Sequence, residues 1–281
     1  MKSDLLALSA ILLWSALAAL GVSLSHVPPF LLTGLGLLLG SLIALPLSGF
    51  RAASWRVPLG TLALGVYGLF GFHLLLFLAL RTAPAVEANL INYLWPLGIV
   101  VLAPVFLPGT RLTARQVGAA LVGFAGAAIA ILGRPGAEGA QWSDGLHVGY
   151  AYALGSAWIW ATYSLGTRRV APFPTAAVGS FAAVSGLLAL ACHVGFEPAV
   201  TLSFSDWMLI ALLGLGPLGG AFFLWDAAIK TGDPQRVGLL AFLTPLGSTV
   251  VVLLTTQQPL SGHVVLAAVL IVGAAAWGRK G

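Results

Sequence analysis

Hydrophobic positions along the chain fall into ten runs, separated by short polar or proline-marked breaks. The runs cover residues 5–22, 30–49, 57–80, 85–107, 117–132, 147–170, 175–196, 207–229, 237–256 and 264–277. A helix needs about 20 apolar residues to cross a bilayer, and most of the runs are close to that. The breaks carry Pro28-Pro29, Pro84, Pro108-Gly109, Pro172, Pro174, Pro198 and Gly232 with Pro234, all residues that end helices or turn the chain. The pattern predicts an all-α integral membrane protein with ten transmembrane helices. Runs five and ten are short, which predicts little tilt or a locally thinned bilayer.

Composition agrees with that reading. The 281 residues are 59% apolar and 7% charged, with mean hydropathy +1.00, whereas a soluble chain carries about 25% charged residues. The length leaves no room for a separate domain. The single Cys192 cannot form an intrachain disulfide, and inside an apolar run it reads as inert filler. A sequence pI near 9.8 would suit nucleic acid until the basic residues are sorted by loop. Alternate loops place Lys2, Arg51, Arg56, Arg111, Arg115, Arg168, Arg169, Lys230, Arg236, Arg279 and Lys280 on one side, and Arg81 and Arg134 on the other. Basic residues stay on the cytoplasmic side. Both termini are then predicted cytoplasmic, in the inner membrane of a bacterium, with the first run retained as a span and not removed as a signal peptide.

The chain also repeats itself. A shift of 149 residues places Leu94-Trp95-Pro96-Leu97 on Leu243-Thr244-Pro245-Leu246, Arg81 on Lys230, Gly65 on Gly214 and Gly71 on Gly220. A shift of 146 places Trp14 on Trp160 and Pro28 on Pro174. The longest connector, residues 133–146, falls at the midpoint and divides the chain into a repeat over 1–134 and a repeat over 135–281. Each half holds five spans. Because five is odd, the second half is inserted in the opposite sense, the inverted arrangement of many transporters. Most of the glycines inside the runs read as close packing positions. Gly214, Gly216, Pro217 and Gly220 are singled out as a hinge, since proline removes a helix bond and clustered glycine eases bending.

The one stretch with polar side chains gathered inside an apolar run is residues 87–96, Glu-Ala-Asn-Leu-Ile-Asn-Tyr-Leu-Trp-Pro. Such groups are costly in lipid unless they face a cavity or a neighbouring helix. Asn89, Tyr93 and Pro96 share one helix face by their spacing, with Asn92 and Trp95 beside them. An asparagine donates and accepts, which suits the charged ends of an amino acid. The same asparagines also suit hydrogen-bonded glue between helices. Pro96 and Pro245 are expected to bend spans four and nine near their middles. His73 with Phe72 in span three, Trp160 and Tyr163 in span six, and Trp14 in span one are the further candidates for lining a pocket. Asp226 and Lys230, four residues apart, are expected to pair, and Glu87 is expected to face Arg81 across the Pro84 turn.

Several chemistries find no support. No phosphate-binding GxxxxGK[ST] is present. No HExxH or Cys–His cluster suggests a metal, and no potassium-filter loop occurs. Neither an enzyme nor a cofactor is expected.

Ten spans in two halves, with Trp14-Ser15 in the first, resemble the drug/metabolite transporter superfamily of the EamA type. Residues 90–97, Leu-Ile-Asn-Tyr-Leu-Trp-Pro-Leu, are similar to the fourth-span motif of the bacterial aromatic amino acid exporters. The resemblance implies an exporter of aromatic and other neutral amino acids with a central cavity between the halves. Asn89, Tyr93, His73, Phe72, Trp160, Tyr163 and Trp14 are the expected substrate contacts. Pro96, Pro245 and the 214–220 segment are the expected moving parts. The expected partners are a small-molecule substrate and the lipid bilayer, without nucleic acid, and the protein is expected to be a monomer. The rival readings are a same-fold exporter of phosphorylated metabolites or cationic drugs, and a membrane enzyme or assembly partner.

Overall fold

The computed structural model describes residues 2–133, 147–256 and 261–278, and among these the structure is entirely helical. The proposed boundary between halves at residues 134 and 135 lies outside the described residues, as do Arg134, Arg279 and Lys280. Eleven helices follow in order: α1 (Lys2–Ser23), α2 (Pro29–Leu47), α3 (Leu59–Thr82), α4 (Ala85–Phe106), α5 (Ala114–Leu132), α6 (Val148–Gly166), α7 (Thr175–Phe196), α8 (Phe204–Thr231), α9 (Pro234–Ala241), α10 (Leu243–Thr256) and α11 (Gly262–Gly278). Seven of them, α1–α5, α7 and α8, are long and apolar enough to cross a membrane. The others fall short for visible reasons. Tyr, Ser and Thr dilute α6, the ninth apolar run is split between α9 and α10, and α11 has 17 residues.

Local chemistry sets the ends. Pro29 opens α2 at a position where its missing N–H is no loss. Thr113 with Gln116, and Ser203 with Asp206, form reciprocal capping boxes at the starts of α5 and α8. Asp233 accepts from the Gln235 N–H at 3.0 Å and starts α9.

The interior of the helices is interrupted in matching places. Residues Tyr67–Gly71 in α3 and Gly216–Gly220 in α8 form wide π turns. The chain breaks at Tyr93–Leu94 within α4, and at Phe242 between α9 and α10. Adding 149 to the first member of each pair gives the second. The same shift carries the helical piece Ala85–Asn92 onto Pro234–Ala241, and Phe72–Thr82 onto Ala221–Thr231. Helix pairings follow suit: α2 packs on α7, α5 on α11, and α1 on α8 as α6 packs on α3. Pro96 and Pro245 therefore do not bend continuous helices. Each lies in the first turn of the piece that follows a break.

The α2–α8 crossing is backbone against backbone. A Cβ on Gly40 would lie 2.7 Å from both the Gly214 carbonyl oxygen and the Gly219 Cα. Helices without a hydrophobic drive to associate gain from such close approach.

Charge is sorted to the two ends. Gln235 Nε2 donates to the Arg111 carbonyl at 3.4 Å, and Arg168 donates to the Gly232 carbonyl at 3.0 Å, so both arginines meet at the α8–α9 turn. Arg236 pairs with Asp4, Arg115 donates to the Trp277 carbonyl, and the 52–55 turn between Arg51 and Arg56 packs on residues 175–177 beside Lys230. Arg81 lies at the other end. It pairs with Glu197 at 3.0 Å, not with Glu87 as the sequence spacing suggested. Glu87 instead accepts the Tyr150 hydroxyl.

In a variant whose Cys192 is replaced, cysteines put in place of Arg111 and Arg168 are expected to label from the same face of a sealed vesicle. A cysteine in place of Arg81 should label from the opposite face. Gly40→Ala should lower stability by about 1–3 kcal/mol through overpacking at the main-chain crossing, read as a lower melting temperature in detergent.

Candidate functional site

The broken and widened segments meet at mid-depth around a knot of aromatic rings. Trp14, at the middle of α1, has ring centroids of Trp225, Trp160, Phe222 and Trp95 at 5.2, 5.8, 6.1 and 6.2 Å. Trp160 adds Phe72 at 5.3 Å and Phe222 at 5.5 Å. Most of these pairs are tilted or edge-on, the geometry the ring quadrupoles favour. Two indole N–H groups fix the cluster to the frame: Trp14 Nε1 donates to the Pro217 carbonyl at 3.2 Å and Trp225 Nε1 to Ser164 Oγ at 3.0 Å.

Against this knot lies a cavity of about 430 Å³. It is lined by Trp14, Trp95, Trp160, Phe72 and Phe222, and its walls rise past Leu76, Phe77 and Leu80 of α3, Leu17 and Gly21 of α1, and Leu32 of α2. Leu80, Gly21 and Leu32 lie near the helix ends far from the basic turns, so the cavity opens toward the end opposite Lys2 and Lys230.

Six of the seven expected contacts line this space: Trp14, Phe72, His73, Asn89, Tyr93 and Trp160. Tyr163 does not. It lies 3% exposed on the far side of Trp160, pressed against α3 where a Cβ on Gly68 would meet its ring at 2.2 Å. Its neighbour Thr162 accepts or donates a bond with Tyr67 at 2.9 Å, which turns that face of α6 into packing with the wide turn. None of Pro96, Pro245, Gly214, Gly216, Pro217 and Gly220 lines the cavity, although the Pro217 carbonyl holds Trp14 in place.

The polar lining is sparse and uncharged. His73 Nδ1 lies 2.6 Å from the Leu69 carbonyl. A carbonyl only accepts, so Nδ1 carries the proton and a neutral ring leaves Nε2 as an acceptor. Both Asn89 and Asn92 line the cavity, and they differ in their bonds. Asn92 accepts from Ser156 Oγ at 2.7 Å and ties α4 to α6, while the Asn89 side chain has no hydrogen-bond partner among the described residues. Thr33, Thr244 and Ser248 complete the polar set, and the sequence reading singled out none of them. No Asp, Glu, Lys or Arg is among the lining residues.

Charge instead braces the two ends. Beyond the aromatic knot, on the basic side, Asp226 pairs with Lys230 at 2.7 Å as their spacing predicts, and takes Thr175 Oγ1 at 2.8 Å. Lys230 also donates to the Phe173 carbonyl at 3.1 Å and lies 3.3 Å from that ring's centroid. At the open end the fully buried Glu197 carboxylate accepts the Phe30 and Leu31 N–H groups at 3.0 and 3.1 Å, with Arg81 and His193 beside it. His193 is four residues away on the same helix, but Arg81, Phe30 and Leu31 are more than a hundred positions away, so local spacing announces only the histidine.

The sequence profile of the EamA-like transporter family matches residues 1–132 and 147–277. The chain belongs to this family. It is 39% identical over 278 residues to the aromatic amino acid exporter YddG of Ancylobacter novellus, covering 98% of this chain and 96% of that protein. A protein of the same name from Salmonella typhimurium is 26% identical over 275 residues, covering 92% and 90%. One solved crystal structure superposes with a TM-score of 0.91 at 38% identity, covering 99% of this chain and 96% of the other. The two profile segments of this EamA-like chain coincide with the two halves whose helix limits recur.

Asn89→Leu should leave the melting temperature unchanged, because it breaks no bond. Asn92→Leu should lower stability by about 1 kcal/mol, the net worth of a buried hydrogen bond, in the same detergent melt.

Proposed function

We propose that this EamA-like protein exports aromatic and other neutral amino acids across the bacterial inner membrane by alternating access. The observation that carries this is the cavity itself: about 430 Å³, floored by Trp and Phe rings and lined by no formal charge. That volume lies within the usual range for small-ligand sites, roughly 300–1,000 Å³. The aromatic rings suit an aromatic side chain. The sparse polar groups suit the zwitterionic end. A phosphorylated substrate would need a cation in the lining, and a cationic drug a carboxylate, so those rivals fit less well. The exporter names of the relatives point the same way.

In this reading the chain crosses the membrane ten times, with α9 and α10 forming one broken span and α6 and α11 completing the count. The recurrence of helix limits at 149 residues supports two five-span halves, 1–134 and 135–281. Five spans per half invert the second. The end rich in Lys and Arg is cytoplasmic, as are both termini, and the cavity faces outward. The aromatic knot and the Asp226–Lys230–Phe173 clasp close the inner side. Transport alternates this state with one in which the clasp opens and the outer rim closes. Gly214 and the wide turn that holds Gly216, Pro217 and Gly220, with the breaks ahead of Pro96 and Pro245, supply the bending. Trp14, Phe72 and Trp160 contact the substrate's ring, with His73 and Tyr93 at its edge and Asn89 at its polar end. The protein acts without a cofactor or enzymatic step, as a monomer.

Proteoliposomes preloaded with tryptophan should take up labelled tryptophan by counterflow, and Trp160→Ala should reduce that flux severalfold while the protein still folds. Absence of uptake for every neutral amino acid tried would sink the reading. A Tyr93→Ala protein with normal flux would remove Tyr93 from the site.

A further inference from the structure

A zwitterion entering this cavity finds no Lys or Arg for its carboxylate. Neutral donors have to serve; besides Thr33 of α2 and the Asn89, Asn92 and Tyr93 side chains of α4, one helix presents two hydroxyls. Helix α10 starts just after the break at Phe242, and Thr244 and Ser248 stand one turn apart on its cavity face. Each is 5% exposed. Thr244 Oγ1 is buried and has no hydrogen-bond partner among the described residues.

That hydroxyl is left over by the break. A threonine deeper in a helix can return its proton to the carbonyl four residues back. Thr162 does so to Trp158 at 2.7 Å, and Thr249 to Pro245 at 2.8 Å. Thr244, however, is second in α10, and its fourth-back carbonyl lies before the break at Phe242. Thr244 has kept its proton uncommitted at the edge of a cavity, which carries a desolvation cost until an acceptor arrives. It also lies in the first turn of a 14-residue helix, where the backbone dipoles favour negative charge and disfavour an ammonium. His73 has Nδ1 committed to the Leu69 carbonyl, so as a neutral ring it has no second N–H for a carboxylate.

We propose that Thr244 and Ser248 form the carboxylate subsite of the cavity. The substrate then lies with its carboxylate on α10 and its side chain over Trp14 and Trp160. This rests on the amino acid transport reading and adds the orientation of the substrate within it.

The test measures binding separately from flux, as thermal stabilisation of the purified full-length protein by tryptophan, indole-3-propionate and tryptamine. The second probe lacks the ammonium and the third lacks the carboxylate. For Thr244→Val the apparent dissociation constants of tryptophan and indole-3-propionate should rise about tenfold, the effect expected for one hydrogen bond to a charged group. That of tryptamine should not change. Ser248→Ala should act in the same direction and serves if Thr244→Val fails to fold. The ligand-free melting temperature of Thr244→Val should equal or exceed that of wild type, since an unpartnered hydroxyl gives way to a methyl. Equal weakening of all three probes, no weakening of the two carboxylates, or no stabilisation of wild type by tryptophan overturns the subsite. A wild-type protein that binds tryptophan with this pattern but shows no counterflow would overturn the transport reading and leave the subsite standing.

Discussion

A bilayer core offers no hydrogen-bond partner, so any backbone group freed by an irregular turn must be satisfied within the protein. Among the described residues this chain interrupts its helices at the two wide turns and at the breaks of α4 and α9–α10, besides shorter breaks at Ala16 in α1 and Leu42–Ile43 in α2. The wide turns and the breaks of α4 and α9–α10 border one cavity. At each wide turn a cavity-lining side chain takes a carbonyl: His73 donates to Leu69, and Trp14 donates to Pro217. The residues that line the site are thus also those that make the irregular backbone affordable in lipid. Site and scaffold cannot be altered independently at these two positions.

The distribution of polarity follows from the same constraint. Buried uncharged polar groups include those on the cavity wall and in helix–helix contacts such as Asn92 with Ser156. The buried full charges that brace the two ends each have a partner. Asp226 meets Lys230 and Thr175, and Glu197 meets two backbone N–H groups, Arg81 and His193. Separating such buried pairs is expensive because each charge would be left in a medium that cannot solvate it. Arg81 and Lys230 occupy matching places in the two halves, each beside a phenylalanine ring. Lys230 is held inward by Asp226. The residue matching Asp226 in the first half is Phe77, so Arg81 finds its carboxylate on α7 instead.

Much of this was legible in the sequence because it is periodic or local. Run lengths and prolines mark the helices, and the 149-residue shift aligns Pro96 with Pro245 and Gly71 with Gly220, but it does not set the wide turn at residues 67–71 apart from close-packing glycines. The polar cluster of residues 87–96 led to the cavity. What stayed hidden is relational. A lone Thr244 in an apolar run looks like any helical threonine bonded to its own backbone, and only the fold reveals that it is not. Glu197 finds Arg81 and the start of α2 across more than a hundred residues. Tyr163 and Trp160 belong to one aromatic group in the sixth run, three positions apart. The interlocking of α6 with Gly68 of α3 turns Trp160 to the cavity and Tyr163 to packing. The two asparagines, three apart, both border the cavity, but only Asn92 is tied to α6, by Ser156.

The crossing of α2 and α8 has a mechanical corollary. Where Gly40 meets Gly214 and Gly219, main chain rests on main chain, with no knobs seated in holes. At that point the two rods touch as a plain bearing, while Leu218 against Gly36 and Ile43 against Gly219 act as stops on either side, so a pivot there must move those two side chains.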